Sequence, residues 1–245
     1  MTGPHPDWIV PDWPAPPRVR ALVTTRAGGA STGLYASLNL GAHVGDDPVA
    51  VARNRARLRG ALPADPVWLE QLHGTEVVDA GSAPSLPRAD AAVARRRHAV
   101  CAVLTADCVP VLLAARGGEA VAIAHAGWRG MAAGVIETAL ARMDVPPAQV
   151  IAWLGPAIGA RAYEVGPEVR DAFVRRSSAA ASAFAPHGDG RFFADLCALA
   201  RERLAAAGVA AVYGGDLCTH AEHGRFYSFR RDRTTGRFAS LVWID

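Results

Sequence analysis

Two histidines and a cysteine in this chain share one local setting. His73 ends the run Trp68-Leu69-Glu70-Gln71-Leu72 and precedes Gly74. Cys108 follows Val103-Leu104-Thr105-Ala106-Asp107 and precedes Val109-Pro110. His125 ends Val121-Ala122-Ile123-Ala124 and precedes Ala126-Gly127. Each is a metal-capable group placed where an apolar run meets a breaking residue. Strand ends on one edge of a sheet can converge, and rigid strands would hold such groups in place. Two imidazoles and one thiolate suit one zinc ion. Three protein ligands leave the fourth position open, as in catalytic sites, where the pKa of a bound water falls toward ~7. A bound metal would also keep Cys108 deprotonated. Asp107 and Glu70 are available as acceptors for the histidines. The intervals between the three match no compact zinc signature. Spacing alone therefore makes a buried cysteine and two hydrogen-bonded core histidines the simpler reading.

Other residues could handle a substrate. Arg26 stands between an apolar run and a glycine-rich loop, where a guanidinium can grip phosphate or carboxylate with paired hydrogen bonds; a surface salt bridge is the plainer role. Asn39, in Ser37-Leu38-Asn39-Leu40-Gly41, could orient a ligand or simply stabilise a turn. Gln71, in the same run as His73, is a candidate substrate contact. In His125-Ala126-Gly127-Trp128-Arg129-Gly130 the backbone N–H groups and Arg129 could cradle an anion, or the glycines could serve only a tight turn. Cys101 and Cys197 read as core, Cys218 is ambiguous, and His220 and His223 read as a surface loop.

The elements that must position these groups alternate between two periods. Arg20 to Thr25 reads as a first strand. Asp46-Asp47-Pro48 starts a helix that runs to about Leu58 and closes at Gly60. Short apolar runs follow at 67–72, 76–79, 91–94, 100–105, 110–114 and 120–124, suggesting a meandering or mixed sheet. Then Ala132, Ile136, Leu140 and Met143 fall on one helical face. Val150 to Leu154 is a strand, Pro167 to Arg176 a helix, and Asp195 to Ala207 a helix stopped by Gly208. Late strands are expected at 226–229 and 238–243, with a turn at Thr235-Gly236. Strands in quick succession with helices between groups favour an α+β class, with mixed sheets in one domain. Pro4, Pro6, Pro11, Pro14, Pro16 and Pro17 make residues 1–17 an extended arm, pinned by Trp8 and Trp13, ahead of a single domain at 18–245.

Composition narrows the class. Of 245 residues, 51% are hydrophobic and 20% charged, enough for a packed core and too apolar for a disordered chain. A net charge of +3 is no nucleic-acid footprint. Arg95-Arg96-Arg97-His98 reads as a solvated turn. No run approaches the ~20 apolar residues of a membrane span, and without a basic start followed by an apolar core no signal peptide is expected. A reducing cytoplasmic setting is expected, in which disulfides are disfavoured.

Several motifs together resemble the YfiH family, also labelled peptidoglycan editing factor or laccase-domain purine nucleoside phosphorylase. They are Thr24-Thr25-Arg26-Ala27-Gly28-Gly29, Ser37-Leu38-Asn39-Leu40-Gly41, Trp68 to Gly74, and Thr105-Ala106-Asp107-Cys108-Val109-Pro110. Others are His125 to Gly130, Gly155-Pro156-Ala157-Ile158-Gly159 and Tyr227-Ser228-Phe229-Arg230-Arg231-Asp232. Where the family often carries a cysteine pair after Gly159, this chain has Ala160-Arg161-Ala162. The resemblance implies helices outside β-sheets and zinc on His73, Cys108 and His125. It implies phosphorolysis of purine nucleosides, with adenosine deamination and methylthioadenosine cleavage as related activities. Nucleoside and phosphate would then be the partners, Arg26 and Arg129 would orient phosphate, and in deamination Asp107 could shuttle a proton. Some members are tied instead to removing a wrongly added amino acid from a cell-wall precursor. A Cys108 nucleophile with a histidine base is the matching alternative, and the fold's kinship to Cys-His toxins supports it. A metal-stabilised, non-enzymatic ligand-binding module is a third reading. A multicopper oxidase is disfavoured, because eight histidines include no His-x-His.

Overall fold

Consecutive residues between Val100 and Ala126 point alternately into different cores, and that alternation sets the layers. The computed structural model describes residues 3–245. Its first strands are β1 (Val19–Val23), β2 (Pro66–Val67), β3 (Val77–Asp79), β4 (Ala91–Ala94), β5 (Val100–Thr105), β6 (Val109–Ala115) and β7 (Val121–Ala126). Then come β8 (Val150–Leu154), β9 (Glu164–Val165), β10 (Phe184–His187), β11 (Arg191–Ala194), β12 (Ala211–Gly214) and β13 (Phe238–Ile244). The helices are α1 (Pro48–Arg59), α2 (Trp128–Ala133), α3 (Val135–Met143), α4 (Pro167–Val174), α5 (Leu196–Ala206) and α6 (Phe229–Asp232).

One sheet runs β1-β13-β5-β2, and a larger one runs β12-β8-β6-β7-β4-β3. They stack face to face over Cys101, Val103, Phe238 and Val242 from the first and Leu112, Ala114, Ile123 and Trp153 from the second. On the outer face of the first sheet, Ala102, Leu104 and Leu241 pack against Leu38, Leu40 and Leu58. On the outer face of the second, Val111, Leu113, Ala122 and Ala124 meet Ile136, Leu140, Leu199 and Leu204 of α3 and α5. A small sheet, β10-β11-β9, carries Phe184 and Val165 into that same outer core. The result is an α+β domain with two mixed sheets inside and helices outside. Because every face of β5, β6 and β7 is covered, these strands are apolar on both sides.

Asp47 caps α1 by accepting the Val49 N–H, with Pro48 in the first turn and Gly60 at the end. Asp195 caps α5 through the Ala198 N–H. Three expectations need correction. The run at 68–72 leaves the sheet after Val67, because Gln71 pairs its side-chain amide with both backbone groups of Leu104 and takes a strand's place there. The helical face from Ala132 to Met143 is broken at Gly134, whose φ of 111° separates α2 from α3. Residues 226–229 form no strand: Ser228 accepts the Arg231 N–H and caps the one-turn helix α6.

Within the expected arm at 1–17, residues 1 and 2 lie outside the described residues. Ile9 bridges Val23, Trp8 is buried in the outer core beside Leu22, and Trp13 packs against the inter-sheet core. Arg95, Arg96 and Arg97 are exposed on a turn, as the sequence suggests. Among the described residues no helix is long and apolar enough to cross a membrane.

Candidate metal centre and its cavity

A single carboxylate organises two of the three candidate ligands. Asp90, 1% exposed, lies immediately before β4. Its side chain accepts the N–H groups of Leu72, His73 and Gly74 at 3.0, 2.9 and 2.7 Å. It also meets Nδ1 of His125 at 2.8 Å. That contact fixes the His125 ring and leaves its Nε2 free to ligate. The three backbone bonds hold the His73 loop, where His73 itself has a φ of 59°. Burial works against charge on Asp90, but the hydrogen bonds from His125, Gly74 and Leu72 outweigh it and hold the carboxyl below its ordinary range. The sequence reading missed this residue and offered Asp107 and Glu70 in its place. The legible signal was one carboxylate opening an all-alanine-and-valine buried strand.

Cys108 sits on the bend between β5 and β6. Asp107, with a φ of 102°, makes that bend. One oxygen of Asp107 accepts from the Thr219 hydroxyl at 2.7 Å and the other from the Arg230 N–H at 2.6 Å. His125 lies inside β7, paired with Pro110 of β6, rather than beyond the strand's end.

The three side chains meet. Cys108 Sγ is 3.8 Å from His73 Nε2, and one ligand atom from each residue lies within 4.8 Å of the others. In a tetrahedral zinc site, bonds of ~2.3 Å to sulfur and ~2.05 Å to nitrogen put those atoms about 3.6 Å apart. The Cys108–His73 pair is close to that spacing, and the donor set fits a metal ion once the remaining atoms close in by up to about 1.2 Å. Gly127 is required for the approach: a Cβ there would lie 2.8 Å from Cδ2 of His73 and 2.9 Å from Cys108 Sγ. Burial opposes the Cys108 thiolate, yet the charge and hydrogen bond of His125, helped by His73, pull its pKa down to about 6. Burial likewise opposes the His125 imidazolium, but the Cys108 thiolate and Asp90 raise it to about 9.

The ligands lie in the wall of a cavity of about 430 Å³, lined also by Gln71, Asp107 and Arg129. Arg26 and Asn39 lie outside that lining. Arg26 donates to the carbonyls of Ala36 and His223 at 2.8 and 2.9 Å and stacks over Tyr227. Asn39 is fully buried and ties Gly41, Asp46 and the Arg237 N–H together. Residues not singled out from the sequence as substrate contacts also line the wall, among them Tyr163, Phe229, Arg230, Arg233, Arg237 and His43. Phe229 is 49% exposed at the rim.

The relatives agree along nearly the whole chain. A family model described as multi-copper polyphenol oxidoreductase laccase matches residues 20–245. Purine nucleoside phosphorylase PA4543 of Pseudomonas aeruginosa is 56% identical over 238 residues, covering 97% of this chain and 98% of that protein. Purine nucleoside phosphorylase YfiH of Escherichia coli is 52% identical over 239 residues, covering 96% and 98%. The crystal structure of Neisseria meningitidis protein NMB0706 superposes with a TM-score of 0.95 at 52% identity, over 98% of this chain and 99% of that one. By sequence and by fold, the chain belongs to the laccase-like YfiH family.

Proposed function

We propose that the protein is a zinc-dependent purine nucleoside phosphorylase. The observation that carries this reading is the convergence of His73, Cys108 and His125 in the wall of an arginine-rich cavity. The names of the relatives from Pseudomonas aeruginosa and Escherichia coli support it. His73, Cys108 and His125 would hold the ion, which when bound supplies a Lewis acid at the wall of the cavity. Phosphate attacks C1′ of the ribose, the bond from C1′ to the purine nitrogen breaks, and the base leaves with that electron pair and a proton. Arg129 orients the phosphate, which is chiefly proximity catalysis. Phe229 offers an exposed aromatic face to the purine. Asp107, fixed by Thr219 and Arg230, is the carboxylate at hand to relay the proton. Gln71 keeps its amide on Leu104 and shapes the wall. Adenosine deamination and methylthioadenosine cleavage belong to the same reading.

The test is chromatography of inosine incubated with and without phosphate. Equal yields of hypoxanthine and ribose 1-phosphate are expected, only with phosphate, and lost after chelation until zinc is restored. Turnover unchanged after complete metal removal would defeat the zinc mechanism.

A specific observation favours one other reading. Cys108 lies beside His125, and His125 is oriented by Asp90, an order of nucleophile, base and orienting acid. That arrangement suits an amidase acting on a cell-wall precursor. An acyl-trapping electrophile separates the two: labelling of Cys108 that saturating zinc fails to block favours the amidase.

A further inference from the structure

The cavity wall is unbalanced in charge. Arg129, Arg230, Arg233 and Arg237 line it, and Asp107 is its carboxylate. Both oxygens of Asp107 are already engaged by Thr219 and the Arg230 backbone. Two of the arginines are pinned: Arg230 donates to the Glu164 carbonyl at 2.7 Å, and Arg237 donates to the carbonyls of Thr235 and Gly236, each at 3.0 Å. Arg129 lies on the Trp128 ring, 4.5 Å from its centroid. Arg233 is exposed, and the neighbouring carboxylate of Asp232 is committed to Arg231. None of the four forms an ion pair among the described residues, and guanidinium groups gathered in this way repel one another and match the geometry of a phosphate dianion.

The backbone at Arg233 is a second, independent observation. Arg233 has φ 60° and ψ −66°. The Thr234 N–H bonds to the Asp232 carbonyl at 2.7 Å, so Arg233 is the centre of a γ-turn of the rare, strained hand. His73 and Asp107 also line the cavity with positive φ, but their strain is offset by the bonds to Asp90 and from Thr219. The Arg233 side chain makes no hydrogen bond or ion pair among the described residues. The Arg233 backbone N–H bonds the Phe229 carbonyl at 2.9 Å, which holds the turn, and strain held in this way clusters at ligand-binding sites.

We infer that the strained turn at Arg233 presents its guanidinium, together with Arg129, as a phosphate-binding subsite beside the metal ligands. The inference rests on the phosphorylase reading for its substrate and names the residue that selects it. The ligand chemistry is a phosphate dianion, either free orthophosphate or the phosphate of a nucleoside monophosphate.

The test compares wild type with Arg233→Gly, Arg233→Ala and Arg233→Lys. Glycine adopts this φ without strain, so Arg233→Gly is expected to melt at or above the wild-type temperature. Its KM for phosphate is expected to rise roughly 10- to 100-fold, the loss of one charged hydrogen-bonding group, while KM for inosine changes little. Arg233→Ala should match it, and Arg233→Lys should recover part of the loss. Calorimetric titration with orthophosphate, and separately with adenosine 5′-monophosphate, at constant ionic strength reads binding without turnover. Weakened orthophosphate binding in Arg233→Gly supports the subsite. Binding of both titrants extends it to phosphomonoesters, and of orthophosphate alone confines it to the free ion. Arg233-dependent phosphate binding without phosphorolysis of any nucleoside keeps the subsite and removes the phosphorylase reading. Phosphorolysis with wild-type KM and binding in Arg233→Gly overturns the subsite and leaves the enzyme standing.

Discussion

Asp90 touches both candidate histidine ligands at once, through the backbone of one and the ring of the other. Asparagine in its place keeps the shape but removes the charge and puts a donor where an N–H must be accepted. Asp90→Asn is therefore expected to weaken metal affinity by about 10–100-fold, as changes to such supporting partners do. Competition against a coloured chelator would measure this, and an unchanged affinity would deny Asp90 its role. Cys108→Ala removes one of the proposed ligands outright, and its metal content by mass spectrometry should fall to background. At this scale the sequence was legible where chemistry is carried by rare residue types. His73, Cys108 and His125 stood out as soft or borderline ligands. Asp90 did not, because one aspartate among many has no mark until its burial is known. Arg26 and Asn39 carried promising side chains, but their bonds to the surrounding loops hold them outside the cavity lining.

Each short element near the site depends on a glycine for a different reason. Gly127 has an ordinary φ of −70°, so any residue could adopt its backbone. What forbids a side chain there is space, since a Cβ would press on both His73 and Cys108. Gly127→Ala is thus expected to cut metal affinity sharply while far-UV circular dichroism stays as in wild type. Gly134 is the converse. Its φ of 111° is strained for alanine, and the nearest atom to a Cβ there is 3.5 Å away. Gly134→Ala should lower stability by about 1–2 kcal/mol and leave metal affinity intact. If both variants lost metal equally, α2 would be coupled to the site more tightly than these contacts indicate. The break at Gly134 was hidden in the sequence because the apolar face continues in phase across it. Residues 226–229 misled for a related reason: Phe226 and Tyr227 are buried as strand residues would be, but the Ser228 cap turns the chain.

The α+β class with outer helices was legible from runs of strands separated by helices, but the division into two stacked sheets was not. β5 and β6 are joined by Ala106-Asp107-Cys108, a connection short enough to read as a hairpin. Instead the positive φ of Asp107 and its bonds to Thr219 and Arg230 carry the chain from one sheet to the other. The segment bearing His73 makes a second crossing, from β2 to β3. Two of the candidate ligands therefore ride on passages between the sheets, while His125 is fixed in the larger sheet. A metal ion held by all three would tie the ends of the two sheets together, so loading it should stabilise the whole fold. At a free zinc concentration about 100 times the dissociation constant, the gain is about 2.7 kcal/mol. For a chain of this size that corresponds to a rise in Tm of roughly 5–10 °C. Differential scanning calorimetry of chelated and zinc-loaded protein should show that shift, and Cys108→Ala should abolish it. Leu112→Ala, deep between the sheets, is the control: about 2–5 kcal/mol is lost whether or not zinc is present. A zinc shift that survived in Cys108→Ala would mean that the stabilising ion binds elsewhere, and the crossings would then be no more than connections.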